Sequence, residues 1–346
     1  MIVLAKPFNK CPGKNAYNTR LYNAIIDKGV VVVEWTKTQM LFGKYDVLHL
    51  HWPENILNRN SALISFILLF FLMTALLWTK ARNKIIVWTA HNLKSHNKRH
   101  PILEKYFWKM FFKFIDGIIC LNPFYLPSLK EKTTKITYIP LGNYKDVYPN
   151  ISSYSESREK IGYSPDCKIL LILGRLERYK GILEFIQNFN KLRSNNIYLV
   201  IRGKTNDKEY WDHLKKAASL NSRISIKNEF IEDYDLQFYI NAADIVVCPT
   251  NSVWNSSSAL LGLSFNKPVL SRKNPVFDYL EKQVFKDWVF SYHDKMFSDS
   301  LIKLILDKVD GLKNKIVPFD GWEWETIADK HIEFYKSQYN NNLQYN

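Results

Sequence analysis

Short apolar, β-branched runs alternate with longer helical patterns along this chain, and the alternation stops once and then restarts. In the first half the runs at 2–5, 30–35, 47–50, 84–89, 117–121 and 136–139 read as strands. Helical patterns occupy 16–28, 61–80, 102–115 and 126–132. Strands that are apolar throughout and separated by helices indicate a parallel sheet covered on both faces. A polar stretch at 146–157 reads as an interdomain linker. Strands then recur at 168–173, 197–201, 224–228, 245–248 and 269–271, with helices at 181–193, 209–219, 233–241 and 256–265. The expectation is two doubly wound α/β domains, 1–150 and 165–320, followed by a C-terminal crossover helix and tail, 321–346. Ligands of such domains sit at the carboxyl ends of the strands, here facing the cleft between the two.

The 346 residues are 47% hydrophobic and 23% charged, a globular composition that leaves no case for extended disorder. A net charge of +15 calls for an anionic partner: phosphates, nucleic acid or an acidic membrane surface. Charge alone does not choose among them, but the lysines are scattered and no nucleic-acid-binding motif accompanies them, so nucleic acid is excluded. Cys11, Cys120, Cys167 and Cys248 lie far apart with no Cys-x-x-Cys, which argues against zinc and disulfides and fits a reducing cytosol. The apolar start, Met1-Ile-Val-Leu-Ala, is too short for a signal peptide, so a cytoplasmic protein is expected.

One segment competes with that expectation. From Asn60 to Thr79 no residue is charged, and as a helix this run would be ~30 Å long, the thickness of a bilayer's hydrocarbon core. It lies, however, between two strands of one parallel sheet, whose carboxyl ends must share a side, so it cannot span. The surplus apolar face must meet lipid or a partner. Lys80, Arg82, Lys84, Lys94, Lys98 and Arg99 follow, and then an aromatic helix with Lys105, Lys109 and Lys113. Basic, aromatic amphipathic helices lie in membrane interfaces; the plainer alternative is a surface helix whose lysines snorkel over a core face. The expected docking segments are 61–79 and 101–115.

Two segments carry the second domain's chemistry. Leu173-Gly-Arg-Leu-Glu-Arg-Tyr-Lys-Gly-Ile182 joins a strand end to a helix start, and Gly174, Arg175 and Lys180 suit a diphosphate. A solvated basic loop is the other reading. Asn255, Ser256, Ser257 and Ser258 precede an apolar helix, where N–H groups and hydroxyls can meet an anion or simply cap the helix. In the first domain, Asp46-Val-Leu-His-Leu-His-Trp-Pro-Glu-Asn55 ends a strand with His51, Trp52 and Glu54, with His49 deeper on the same side. Lys84-Ile-Ile-Val-Trp-Thr-Ala-His-Asn-Leu93 brings His91 and Asn92 to the end of a neighbouring strand. A strand-end His and Glu can serve as base and orienter, whereas His49 reads as a hydrogen-bonded core histidine.

The order Gly-Arg-x-x-x-Tyr-Lys-Gly, Ile-Arg-Gly-Lys204, Asn241-Ala-Ala-Asp-Ile-Val-Val-Cys-Pro249 and Asn-Ser-Ser-Ser-Ala-Leu-Leu-Gly-Leu-Ser-Phe-Asn-Lys-Pro resembles the donor domain of GT-B glycosyltransferases. The resemblance covers nearly the whole chain. It is nearest the bacterial exopolysaccharide and O-antigen group, related to family 4 and to β-mannosyltransferase-like members. It implies two Rossmann-like domains facing a cleft, a nucleotide-sugar donor and a polyprenyl-diphosphate-linked saccharide acceptor met at the inner face of the cell membrane. It also implies no bound metal and no cofactor. Arg175 and Lys180 would hold the diphosphate, and the helix start at Asn255–Ser258 would bind phosphate or sugar hydroxyls. Gly203, Lys204 and Glu232, in Phe230-Ile-Glu-Asp233, would lie near base and ribose. His51, Trp52 and Asn92 would contact the acceptor. Gly13 and Asn15, in the loop after the first strand, could face the diphosphate.

The chain departs from the pattern at one place. The Glu-x7-Glu of many family-4 enzymes falls on Val253 and Leu261, which puts the usual donor-sugar grip and stereochemistry in doubt. Inversion with Glu54 or His91 as base is the reading taken, with GDP-mannose the favoured donor. Retention from a UDP-sugar, a nucleotide-sugar epimerase and an integral membrane protein remain alternatives.

Overall fold

A computed structural model of the chain describes residues 1–8, 16–93, 99–132, 135–251 and 253–344. Gly13, Asn15, Lys94 and Lys98 lie outside the described residues. The chain divides into two compact units, Met1–Gly142 with Asp320–Asn346, and Asn143–Phe319.

The first unit holds strands β1 Ile2–Lys6, β2 Val31–Glu34, β3 Val47–His51, β4 Ile85–Ala90, β5 Gly117–Cys120 and β6 Ile136–Tyr138. They form one parallel sheet in the order β2-β1-β3-β4-β5-β6. Its helices are α1 Ala16–Asp27, α2 Lys37–Phe42, α3 Ala62–Ala81, α4 Pro101–Phe114 and α5 Leu126–Lys130. Strand order reverses at β1/β3, which is where a sheet of this winding opens its ligand crevice.

The apolar run becomes α3, which links the adjacent parallel strands β3 and β4 and packs on the sheet as a crossover. Ser65, Leu69, Leu72, Ala75, Leu76 and Thr79 form its buried stripe. Arg82 ends it by donating to the carbonyls of Met40, Leu41 and Gly43 at 2.8–3.3 Å. Lys80 pairs with Asp116 at 2.6 Å, and the second oxygen of Asp116 accepts from the Ile86 amide at 2.8 Å. The opposite face of α3 stays exposed along Leu63, Ile64, Phe66, Ile67, Phe70, Phe71, Leu77 and Trp78. Lys105, Lys109 and Lys113 of α4 are exposed as well, while Phe107 and Phe111 are buried.

The second unit holds β7 Lys168–Leu173, β8 Ile197–Gly203, β9 Ile224–Asn228, β10 Ile245–Cys248, β11 Val269–Arg272 and β12 Val289–Tyr292. These are again all parallel, in the order β12-β11-β10-β7-β8-β9. Helices α6 Tyr154–Ile161, α7 Ile182–Phe189, α8 Lys208–Ala218, α9 Leu236–Ala242, α10 Ser257–Ser264, α11 Pro275–Tyr279 and α12 Asp299–Asp310 accompany them. Here the order reverses at β7/β10, so the ends of those two strands mark the crevice. The last helix, α13 Trp324–Gln344, belongs to the first unit and packs on α1.

Two expectations need correction. The stretch 146–157 is no linker: Ser153 and Glu156 build a capping box that starts α6. The fully buried Arg158 then ties α6 to its own unit through Asp244 at 2.6 Å and the carbonyls of Ala242, Ser164 and Cys167. A buried guanidinium with every partner in place fixes a segment rather than freeing it. Beyond residue 271, where the sequence pattern gave no further strand, the unit adds β12 and α12.

Candidate functional site

In the second unit three glycines let the strand ends close up. Gly174 follows β7 with φ 101°. A side chain at Gly203 would overlap the Gly174 carbonyl oxygen, and one at Gly181, φ 67°, would overlap the Pro249 carbonyl. Only glycine tolerates these approaches. The result is a small cradle at the β7/β10 reversal. A methyl group placed on Gly174 would stand 3.6 Å from Lys180 Nζ and 3.8 Å from Ser258 Oγ, so ammonium and hydroxyl converge above that glycine. Burial lowers the pKa of Lys180 from its ordinary value, which means the cation is short of compensating charge. Ser256 caps α10, accepting from the Ala259 amide at 3.3 Å, while Asn255 is half-buried and Ser257 exposed beside it.

The loop's three cations are not equivalent. Arg178 is committed to Asp207 at 2.7 Å and Glu209 at 2.9 Å. Arg175 is 78% exposed with a loose Glu177 contact at 3.4 Å, which leaves its head open to a ligand. Lys204 and Glu232 are exposed on the turns after β8 and β9. The β8 turn is held beside the β7 loop by the Leu176 amide on the Lys204 carbonyl at 3.0 Å. Gly174, Lys180 and Ser258 are thus brought together, with Ser256 capping the helix that carries Ser258; Lys204 lies alongside, and Glu232 is carried on a separate turn. Leu261, at one position of the missing carboxylate pair, is half-buried on α10. Metal independence rests on the resemblance alone, because Asp233-Tyr-Asp235 has Asp-x-Asp spacing on the exposed turn before α9.

In the first unit the ends of β3 and β4 carry a buried chain of rings. Tyr335 Oη lies 2.7 Å from His49 Nδ1, and Tyr22 Oη lies 2.9 Å from the same nitrogen and 2.7 Å from His51 Nε2. His51 Nδ1 meets His91 Nε2 at 2.9 Å, and His49 Nε2 meets Thr89 Oγ1 at 2.8 Å. Burial, reinforced by the neighbouring histidines, holds His49 and His51 well below the usual imidazole pKa. Burial takes His91 down to about 3 and His331, on α13, to about 4. All four rings are therefore neutral at pH 7.

Trp52 stacks on His91 with centroids 3.9 Å apart and 20° between planes. It does so from a left-handed backbone, φ 47°, that a tryptophan rarely adopts. His91 Nε2 is spent on His51, so Nδ1 is the nitrogen left for a ligand among the described residues. Glu54 differs from its expected role. It is not a strand-end base but a fully buried acid: Asn92 Nδ2 donates to its Oε1 at 3.2 Å, and its Oε2 has no partner among the described residues. Burial raises its pKa to about 7. Asn92, not Glu54, is the group at the surface of the site.

Sequence reasoning missed Tyr22, His331 and Tyr335. The first could have been suspected from its place on the buried face of α1. The other two are on a helix whose docking nothing local announces, Tyr335 lying 286 residues beyond His49.

Residues 153–317 match the family Glycosyl transferases group 1. Over 328 residues the chain is 25% identical to a GDP-mannose:glycolipid 4-beta-D-mannosyltransferase of Xanthomonas campestris pv. campestris, covering 93% of this chain and 88% of that protein. Among solved structures, sucrose-phosphate synthase from Thermosynechococcus elongatus superposes with a TM-score of 0.67 at 16% identity, covering 98% of this chain and 99% of that one. Anabaena HepE, in complex with UDP and glucose, superposes at 0.69 with 11% identity, covering 97% and 99%.

Proposed function

Starting from a glycosyltransferase of the GT-B fold, with a group 1 domain at 153–317, we propose that this chain transfers mannose from GDP-mannose to a lipid-linked saccharide, with inversion. The observation that carries the reading is the alignment with the Xanthomonas mannosyltransferase over nearly the whole of both chains. In this reading Lys180, Arg175 and the start of α10 hold the diphosphate and take up the charge that develops as GDP leaves. Gly203, Lys204 and Glu232 contact base and ribose. His51, Trp52 and Asn92 line the acceptor's place, and His91 receives the proton of the attacking hydroxyl on Nδ1. The acceptor oxygen bonds to the sugar's anomeric carbon as the bond to phosphate breaks. An α-linked donor then yields a β product, the configuration in the relative's name.

The surplus apolar face of α3 and the exposed lysines of α4 support docking to an anionic, cytoplasmic leaflet, where a polyprenyl-diphosphate-linked acceptor would be met. The deciding experiment incubates the purified protein with GDP-mannose, other GDP- and UDP-hexoses, and native membrane lipid. GDP-mannose turnover that needs lipid and gives a β-linked product by NMR is expected. Turnover of a UDP-sugar alone, an α product, or consumption of nucleotide sugar without lipid would each replace the reading.

A further inference from the structure

Lys6 is the last residue of β1, at the point where strand order in the first unit reverses. It pairs in register with Leu50 of β3, which pairs with Trp88 of β4. Residues paired in this way face the same side of a parallel sheet. Lys6 therefore belongs to the side on which Trp88 packs against Trp108 and Phe111 of α4. The rings of His49, His51 and His91 occupy the other side, where Ala5 is paired with His49. Lys6 is half-buried, with its Nζ 3.8 Å from the ring centre of Trp35, the residue that follows β2.

An ammonium carries three N–H donors, and a ring face offsets only part of its charge. Among the described residues no carboxylate pairs with Lys6 and no oxygen accepts from it. Other half-buried lysines of the unit are treated differently: Lys80 pairs with Asp116 at 2.6 Å and Lys84 with Asp46 at 3.8 Å. The acid of the neighbouring strand, Glu34, is in register with Ala5 rather than Lys6, so it faces the other side of the sheet. Its Oε1 accepts from the Phe8 amide at 3.1 Å, and its charge is felt at Tyr22. Burial lowers the pKa of Lys6 from its ordinary value, with no negative group opposing the shift. A cation drawn partly out of water without a counter-charge is costly, and a ligand that supplies the charge removes that cost.

We propose that Lys6, held on the face of Trp35, binds an oxyanion of the acceptor: a phosphate of the lipid diphosphate or the carboxylate of an acidic sugar. Both sources present the same chemistry, a negatively charged oxygen to an ammonium point charge. The identity of the acceptor comes from the transferase reading above; the oxyanion site itself does not depend on it. Its place suits the role. β1 lies beside β3, at whose end Trp52 lines the acceptor's place in that reading, and the ligand crevice of such a sheet opens at these strand ends. Lys6 acts in binding, setting how tightly the acceptor is held and leaving the transfer step to other groups.

The indole N–H signal of Trp35 in NMR of the full chain, assigned by its loss in Trp35→Phe, reports this site without any turnover. The probes are farnesyl diphosphate, farnesol, methyl β-D-glucuronide and methyl β-D-glucoside. A saturable shift with farnesyl diphosphate but not farnesol supports the site and names the diphosphate as its source. A shift with the glucuronide but not the glucoside supports it and names the sugar carboxylate. Either shift should vanish in Lys6→Met, which keeps an unbranched side chain on Trp35, and persist in Lys6→Arg. No shift with either anion, an equal shift with the neutral compounds, or the same shift in a folded Lys6→Met protein overturns the proposal. In turnover, Lys6→Met should raise KM for the lipid acceptor by about 10-fold or more, the worth of a hydrogen bond to a charged group, with kcat and KM for GDP-mannose unchanged. An unaltered acceptor KM refutes the assignment to the acceptor. A chain that does not turn over GDP-mannose with lipid would sink the transferase reading, while the shift at Trp35 would still establish the oxyanion site.

Discussion

Replacing Glu54 by Gln separates a buried acid from a catalytic base. Burial moves the carboxyl from 4.5 to about 7 in the folded chain, with the Asn92 hydrogen bond opposing the shift. A pKa raised on folding favours the native state while the group is protonated. That contribution is complete below pH 4.5 and lost as pH rises through 7. At about 1.4 kcal/mol per unit, the wild type should lose about 3 kcal/mol from this residue between those limits. Gln cannot ionise, and its carbonyl can still accept from Asn92. Its amide would stand where Oε2 has no partner, a penalty that does not vary with pH. The sign and size of the pH dependence, not the absolute difference, are therefore the test.

The assay is urea unfolding of both proteins from pH 4.5 to 8, with hydrogen exchange of the β3 and β4 amides to report the first unit by itself. The stability of Glu54→Gln relative to wild type should rise by about 3 kcal/mol across that range. A flat difference would refute the buried-acid assignment. Turnover gives a second answer from the same variant: loss of a general base would cost about 100-fold or more in kcat, whereas a carboxyl acting only behind Asn92 should leave kcat nearly intact.

Four further outcomes follow from the geometry. His49, His51, His91 and His331 all have depressed folded pKa values, so stability is present above pH 6.5 and lost below it. Glu54, whose folded pKa is raised, offsets part of that loss, and a stability that does not fall with pH below 6.5, measured by urea unfolding followed in near-UV circular dichroism, would contradict the neutral cluster. Lys180→Ala should lower kcat/KM for the nucleotide sugar by about 100-fold without unfolding the chain, while Arg178→Ala, whose partners are Asp207 and Glu209, should mainly change stability; the reverse ranking would move the anion site. Gly203→Ala should prevent the β7 and β8 ends from closing, seen as a lowered melting temperature with loss of GDP binding. Replacing Phe66, Phe70 and Phe71 with Ser should abolish flotation with anionic vesicles while the fold persists, and undiminished flotation would remove α3 from the docking surface. Leu72 is unsuitable for that test because it lies in the buried stripe.

What could be read in the sequence was what is decided locally. Runs such as Lys168–Leu173 are buried on both faces and so apolar throughout, and their positions appear without any knowledge of neighbours. The short β12 was missed because Val289–Tyr292 is flanked by Lys286, Asp287, His293 and Asp294 and follows an irregular helical segment. The candidate anion site was legible because glycines and cations gather where strand order reverses. Which cation is free was not, since that depends on Asp207 and Glu209, some thirty residues further on. The same limit applies more sharply at His91. Alternation along β3 is enough to put His49 and His51 on one side, and the strand-end position marks His91. The hydrogen-bond partners of those rings include Tyr22 from one helix and Tyr335 from another, 286 residues beyond His49. A sequence motif can therefore name the rings of a site while the groups they hydrogen-bond to come from elsewhere in the chain. Substitutions at Tyr335 in α13 should for that reason disturb the packing and hydrogen bonding of His49, on a strand far away in sequence.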